Sequence, residues 1–179
     1  RHRMIEVTID SVRVSLMSQH RVVVLKEIDG DRYLPIWIGP FEADAITIQL
    51  QGVEVARPMT HDLLMRIITT LEAQVLRVVI NDLQSETFFA AIVIDAAGEL
   101  VDIDARPSDA IALAVRARVP IFIAETVMDR ASILAETDVH MPEADETGHA
   151  TGKGQKEEEG GLDIFREFVE GLDIDGFGD

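Results

Sequence analysis

Residues 4–16 alternate between apolar and polar side chains, and this period of two constrains the fold more than any other feature. Apolar side chains occupy every second position across most of residues 4–16, as in a strand that buries one face. The phase slips near Asp10-Ser11, which indicates a β-bulge or a bend. Further strands are predicted at 21–28 and 33–38, joined by an Asp29-Gly30-Asp31 turn. The chain is therefore expected to begin with three antiparallel strands.

Apolar residues at helical spacing then predict three helices. Pro40 suits a first helical turn and precedes a helix over 41–50. Leucine and isoleucine residues predict a helix over 60–73 with Thr60 as its N-cap, and Ser108 is expected to cap a helix over 109–117. Shorter apolar runs predict strands at 75–83, 87–94, 100–103 and 120–124, followed by a turn of helix within 127–134. The expected fold class is α+β, with a mixed, largely antiparallel sheet packed by about three helices.

The composition changes sharply after residue 134. The formal net charge of the chain is −17, and residues 134–179 hold fourteen acidic and three basic side chains. We therefore predict a folded domain over 4–134, a disordered acidic linker over 135–161 and a short amphipathic helix over 162–172. A helix this short is marginal alone, so we expect it to dock onto the domain, a sister subunit or a protein partner.

The composition also excludes several classes of protein. No run of about eighteen apolar residues predicts a membrane span, and the first residues lack the apolar stretch of a secretory signal. The absence of cysteine excludes disulfides and thiolate metal sites and is compatible with a cytoplasmic location. The negative net charge argues against a simple nucleic-acid binder, because phosphate contacts need cations.

The segment Arg57-Pro58-Met59-Thr60-His61-Asp62-Leu63 places polar side chains at a predicted helix start. Free backbone N–H groups beside a guanidinium suit a phosphate, so Arg57 is a candidate phosphate ligand. His61 is a candidate general base or metal ligand, and Asp62 is a candidate catalytic carboxylate. An ordinary helix start explains Thr60 and Asp62 equally well, but it does not explain His61.

The segment spanning residues 102–111 repeats the arrangement with more carboxylates. Asp102 and Asp104 would point to the same side of a strand, where a divalent cation such as Mg²⁺ or Mn²⁺ would relieve their repulsion. Arg106 is a second candidate phosphate ligand, and Asp109 is a candidate catalytic carboxylate. The alternative is a salt-bridge cluster in which the arginine pins the strand to the helix start.

Three linked segments resemble the bifunctional nuclease domain family over about residues 4–134. They are Leu34-Pro35-Ile36-Trp37-Ile38-Gly39 with Glu42, the Arg57–Leu63 segment, and the segment over 102–111 with Pro120-Ile121-Phe122. The resemblance implies an α+β domain with a mixed sheet, homo-oligomers, and nuclease activity on DNA and RNA. Ala105 departs from the pattern, where serine is common. The matched positions, carried over without assigned roles, are Glu42, Arg57, His61, Asp62, Asp102, Asp104, Arg106 and Asp109.

The leading hypothesis is a cytoplasmic, homo-oligomeric nuclease that hydrolyses DNA, RNA or both with the help of a divalent cation. Its metal ligands would be Asp102 and Asp104, and its phosphate ligands Arg57 and Arg106. Its catalytic candidates are Glu42, Asp62, Asp109 and the proton shuttle His61. This hypothesis requires the side chains to converge on one open cleft. The alternative is a non-enzymatic oligomeric ligand-binding or regulatory module, which the net charge favours, and a third hypothesis makes the acidic tail an autoinhibitory mimic of nucleic acid.

Overall fold

The structure, a computed structural model, describes residues 3–15 and 19–134 of the chain. The predicted linker over 135–161 and helix over 162–172 lie outside these residues. In the described ranges the longest helices have 11 residues, and none is long and apolar enough to span a bilayer. The elements are β1 (Met4–Val14), β2 (Arg21–Glu27), β3 (Arg32–Ile38), α1 (Pro40–Leu50), α2 (Thr60–Thr70), β4 (Ala73–Gln84), β5 (Thr87–Ala96), β6 (Glu99–Ala105), α3 (Pro107–Ala117), β7 (Ile121–Ala124), α4 (Glu125–Ala131) and β8 (Ile133–Leu134).

The strands form one sheet in the order β6-β5-β4-β7-β1-β2-β3-β8. Every neighbouring pair is antiparallel except β4 and β7, which run parallel. The predicted opening of three antiparallel strands is confirmed, and the register of β1 against β2 shifts between Ile9 and Ser11, where the sequence predicted a bulge. The predicted α+β class with a mixed, largely antiparallel sheet is therefore confirmed, with α4 as a fourth helix.

The hydrophobic core lies between one face of the sheet and the helices. Ile80 of β4, Ile92 of β5 and Ile123 of β7 point into it, because alternate residues of a strand share one face. The helix α3 is the central element of this layer, and its residues Ala110–Ala114 are all buried. This burial fixes α3 on the sheet and so fixes the position of the polar side chains at its first turn.

One predicted helix start is wrong by two residues and one predicted N-cap by one residue. α3 begins at Pro107 rather than at residue 109, because proline already has the φ of a helix and lacks the N–H that a first turn leaves unpaired. Ser108 therefore lies inside the first turn and is buried, and Arg106 is the residue that precedes the helix. In α2 the preceding residue is Met59 rather than Thr60, and the Met59 backbone N–H donates to the side chain of Asp62 at 2.8 Å.

The predicted end of α2 at residue 73 is also wrong. The helix ends at Thr70, and Glu72 adopts a positive φ of 58° that stops the helical path. Ala73 is instead the first residue of β4. The chain thus turns from α2 into a central strand within two residues, which holds α2 close to the sheet.

Candidate functional site

The first turns of three helices meet in one network of side chains. Glu42 belongs to the first turn of α1, His61 to that of α2, and Asp109 to that of α3, which Arg106 precedes. The unpaired N–H groups of a helix N-terminus carry partial positive charge, so a carboxylate is stable there. The helix starts and a shared guanidinium together allow two carboxylates to lie near each other.

Arg106 joins the start of α3 to the start of α1. Its Nε donates to Oδ2 of Asp109 at 2.7 Å, and its Nη2 donates to Oε1 of Glu42 at 2.6 Å. A side-chain carbon at Gly39 would collide with the Glu42 carboxylate, so the glycine leaves room for this contact. The Arg106 side chain is 66% exposed, and its Nη1 makes no hydrogen bond with the residues that the structure describes. One N–H₂ group of the guanidinium therefore faces solvent.

His61 joins the start of α2 to the same network. Its Nε2 lies 3.0 Å from Oδ1 of Asp109, while its side chain is only 9% exposed. Every fully buried side-chain nitrogen or oxygen in the described ranges has a hydrogen-bond partner. Nδ1 of His61 has no partner, so it is not fully buried. The Nδ1 edge of the ring is therefore the part that reaches solvent.

The charge state of Asp109 decides the direction of this hydrogen bond. Burial acts to raise the pKa of Asp109, but hydrogen bonds from Arg106 and His61 outweigh it, and the pKa lies below its ordinary value. Asp109 is therefore ionised at neutral pH and accepts the hydrogen bond, so Nε2 carries the proton. In a neutral imidazole this leaves Nδ1 as the proton acceptor.

A second ion pair connects α2 to α3 beside the first. Nε of Arg116 donates to Oδ1 of Asp62 at 2.6 Å, and its Nη1 donates to the backbone oxygen of Ala112 at 2.8 Å. The Arg116 side chain is 5% exposed. Burial acts to raise the pKa of Asp62, but the Met59 amide and Arg116 lower it below its ordinary value. Asp62 is thus held in a structural pair with the buried guanidinium of Arg116.

Asp102 and Asp104 lie on the other face of the sheet. In β6, Ile103 pairs with the core residue Ile92, so its side chain is on the helix side and its two neighbours point away. The predicted shared direction of the two carboxylates is confirmed. Asp102 lines a cavity of about 530 Å³ whose other walls include Arg77, Val79, Val93 and Phe122.

The expected convergence of Asp102, Asp104, His61, Arg57 and Arg106 on one cleft is therefore wrong, because the two aspartates lie on the other face of the sheet. Glu42, His61, Arg106 and Asp109 form one network, and Asp62 lies beside it in its own pair. Arg57 is exposed in the segment between α1 and α2, and it makes no hydrogen bond or ion pair with other described residues. The period of two in β6 separates the aspartates from the helix layer.

This separation decides whether the candidate residues can bind a metal ion together. Asp102 and Asp104 offer two carboxylates, and no third His, Asp or Glu completes a group with them or anywhere else in residues 3–15 and 19–134. Mg²⁺ and Mn²⁺ prefer six oxygen ligands and accept water and phosphate for several of them. The two aspartates by themselves therefore do not make a metal centre for the His61 network.

Sequence reasoning missed Arg116. It is the buried partner that fixes Asp62, and so it helps to fix the helix that carries His61. A signal was present, since Arg116 follows a run of apolar residues in a helix that the pattern placed in the core. A guanidinium on such a helix needs a carboxylate partner, because an unpaired buried charge is costly.

The sequence is similar to known proteins over most of its length. A family model described as the bifunctional nuclease domain matches residues 23–136. Over 172 residues the chain is 39% identical to "Uncharacterized protein Rv1829" of Mycobacterium tuberculosis, covering 96% of this chain and 97% of that protein.

Two plant proteins match a shorter stretch. The chain is 31% identical over 106 residues to "Bifunctional nuclease 1" of Arabidopsis thaliana, which is 57% of this chain and 33% of the plant protein. It is 32% identical over 103 residues to "Bifunctional nuclease 2" of Oryza sativa subsp. japonica, covering 55% and 32% respectively. The shared part is thus about a third of each plant protein.

Proposed function

The chain belongs to the bifunctional nuclease domain family, and from this membership we propose that it hydrolyses phosphodiester bonds of DNA, RNA or both. The observation that carries the proposal is the chain of contacts from His61 through Asp109 to Arg106. It sets a proton acceptor and a cation on two sides of one carboxylate. A proton acceptor activates the water that attacks a phosphodiester, and a cation stabilises the negative charge on the phosphate oxygens.

The proposed role of His61 is general base catalysis. Nδ1 takes a proton from water as the water oxygen attacks phosphorus, and the bond from phosphorus to the leaving oxygen breaks. The departing oxygen takes a proton from solvent, and the imidazolium then returns its proton to solvent. Asp109 accepts the hydrogen bond from Nε2, which keeps Nδ1 free of its proton and stabilises the imidazolium that forms. Asp109 is thus a positioning residue in this proposal.

The proposed role of Arg106 is phosphate binding. Its Nε and Nη2 are held by Asp109 and Glu42, so the guanidinium plane is fixed while Nη1 remains open to an anion from solvent. A fixed guanidinium loses little freedom when it binds a phosphate oxygen. Glu42 therefore acts by orienting Arg106, and Arg57 supplies a second exposed cation near the start of α2.

Divalent-metal assistance and assembly are further parts of the proposal. A cation bound with the substrate would offset the two carboxylates of the network, and Asp102 and Asp104 remain candidates for an additional cation.

Homo-oligomers are proposed because α2 leaves apolar side chains exposed. A cytoplasmic location is proposed from the absence of cysteine.

The test is cleavage of single- and double-stranded DNA and RNA by the purified full chain with Mg²⁺, with Mn²⁺ and with a chelator. We expect cleavage that co-purifies with the protein and is lost in His61→Ala. Activity that separates from the protein on further purification removes the nuclease, and activity that persists in His61→Ala removes the proposed base.

A non-enzymatic ligand-binding or regulatory module is the second candidate, and the paired state of the network favours it. Two of the three Arg106 nitrogens and both Asp109 oxygens already have protein partners. A network of this kind can have a purely structural role, in which it holds three helices together. Under this candidate the purified chain binds a small anion such as inorganic phosphate through Arg106 but cleaves none of the four nucleic acids.

A further inference from the structure

A cavity of about 530 Å³ opens on the face of the sheet that points away from the hydrophobic core. Its floor consists of Val79, Ala91 and Val93, which alternate with core residues along β4 and β5 and are only 7%, 8% and 2% exposed. Phe122 of β7 and Met4 of β1 also line it. Small-molecule sites are typically concave and mostly apolar, with a few polar groups that fix the orientation of the ligand. This cavity has that composition.

Two opposite charges line the cavity without pairing with each other. Arg77 of β4 lies opposite Val93 of β5, and Val93 lies opposite Asp102 of β6, so the three residues form one row across the strands. Neighbouring strands are about 4.8 Å apart, which separates the backbones of Arg77 and Asp102 by about 10 Å. Neither side chain makes an ion pair or hydrogen bond with other residues that the structure describes. A cation and an anion are therefore both available to a ligand that lies over Val93.

The next row along the strands is apolar. Phe122, Val79 and Ala91 lie opposite one another in β7, β4 and β5. Two residues of strand separate this row from the charged row, a distance of about 6.6 Å. The cavity can therefore accept a small molecule with a charged head over Val93 and an apolar body over Val79.

We propose that the cavity binds a free apolar α-amino acid such as phenylalanine or leucine. The carboxylate of the ligand accepts hydrogen bonds from the guanidinium of Arg77, and its ammonium group donates to the carboxylate of Asp102. Its side chain lies on Val79 and Ala91 against Phe122, over the apolar row. A zwitterion is the complement of this site because it pairs both protein charges at once and leaves neither desolvated and unpaired.

Other classes of ligand fit the cavity less well. Among the described residues that line it, Asp102 is the only acidic one, so a divalent cation would find a single carboxylate there. The phosphate of a nucleotide would find a single cation and would be repelled by the same carboxylate. The inference goes beyond the proposed function and does not depend on nuclease activity, because the Arg106 network lies on the other face of the sheet.

The first experiment titrates L-phenylalanine into the full chain by isothermal titration calorimetry. We expect saturable binding. Phenylalaninamide lacks the carboxylate and phenylpropionate lacks the ammonium group, so each should bind about tenfold more weakly or worse. Glycine has both charges but no apolar body and should lose at least about tenfold as well. These comparisons use the wild-type chain, so they do not depend on how a variant folds.

The second experiment assigns the two charges. Arg77→Gln and Asp102→Asn should each weaken phenylalanine binding about tenfold or more. Asp104→Asn is the matched control, since Asp104 lies on the same strand and face as Asp102 but does not line the cavity, and its affinity should stay within about twofold of wild type. Arg77→Gln should affect phenylalaninamide much less than phenylalanine, because the amide has no carboxylate for Arg77 to hold.

Three results would overturn the proposal. The first is the absence of saturable binding of both phenylalanine and leucine to the full chain. The second is glycine binding as tightly as phenylalanine, which would show that the apolar row is not used. The third is phenylalanine binding that Arg77→Gln and Asp102→Asn both leave unchanged, which would place the amino acid elsewhere on the chain.

Discussion

Nε2 of His61 lies 3.0 Å from Oδ1 of Asp109, and this contact joins the first turn of α2 to the first turn of α3. The two residues are 48 positions apart in the sequence. The same carboxylate receives Nε of Arg106 on its other oxygen. A neutral histidine whose Nε2 donates to an ionised carboxylate has only Nδ1 left to accept a proton.

The first prediction concerns His61. We expect His61→Ala to reduce phosphodiester cleavage by about 100-fold or more, the usual contribution of a general base. The measurement is kcat/KM on a fluorescent oligonucleotide, with far-UV circular dichroism to check folding. Asp109→Asn should also lower kcat, because an amide that donates to Nε2 would hold the proton on Nδ1.

The readout that separates this role from a structural one is the pH profile. Wild type and His61→Ala should differ in the shape of their pH profiles, because removing a general base removes its limb from the profile. An unchanged profile in the variant would show that another group titrates.

The second prediction concerns Arg106. We expect Arg106→Lys to raise KM for an oligonucleotide about tenfold with a smaller change in kcat, because lysine keeps the charge but lacks the planar fork. In Arg106→Ala, the slope of the logarithm of the binding constant against the logarithm of the salt concentration should decrease in magnitude by about 0.7 to 0.9, the value for one lost phosphate contact. Binding is measured by fluorescence anisotropy in the His61→Ala background.

Glu42→Gln is the matched variant for this prediction. It removes the charge that holds Nη2 of Arg106 and leaves the guanidinium itself in place. A salt slope equal to that of wild type is expected. An Arg106→Ala variant with an unaltered slope would show that Arg106 does not touch phosphate.

The sequence predicted the sheet and helix layer well because both depend on local periodicity. The alternation in β1, its bulge and the apolar spacing in α2 are local signals, and each reports which face is buried. The start of α3 was wrong because Pro107 decided it, and the N-cap of α2 was wrong because the Asp62 side chain accepts from the Met59 N–H. These errors are small, and they do not change which residues open each helix.

The set of residues that form the site was harder to predict, because it depends on contacts between residues far apart in the sequence. Nothing local in the Asp102–Asp109 segment shows that Arg106 reaches Glu42 or that His61 reaches Asp109. The alternation in β6 was read correctly to give Asp102 and Asp104 a shared side. Which side of the sheet that is depends on where the helices pack, and only the fold shows it.

The third prediction follows from that placement. We expect Asp102→Asn/Asp104→Asn to keep the cleavage rate within about twofold of wild type, a barrier change of about 0.4 kcal/mol, because both carboxylates lie on the face of the sheet opposite His61. The measurement is the rate at several Mn²⁺ concentrations, with Mn²⁺ binding followed by calorimetry. Loss of Mn²⁺ binding together with loss of cleavage would return both aspartates to the active site.

The fourth prediction concerns the pair of Asp62 and Arg116. Replacing Asp62 by Asn leaves an oxygen for the Met59 N–H but removes the charge opposite the buried Arg116 guanidinium. We expect Asp62→Asn to lower the free energy of unfolding by about 2 kcal/mol at pH 7, as for a lost hydrogen bond between charged groups. The measurement is urea denaturation, with Asp104→Asn as the control that removes an exposed carboxylate.

The pH dependence of this difference has a definite sign. The pKa of Asp62 is lowered in the folded state from an ordinary value of 3.8, so its ionised form stabilises the fold at pH values above that value. As pH falls from about 5 through 3.8 and then through the lower pKa of the folded state, this contribution is lost. Wild type and Asp62→Asn should therefore differ most near neutrality and converge in acid. A difference that stays constant from pH 7 to pH 3 would show that the aspartate acts through packing and not through its charge.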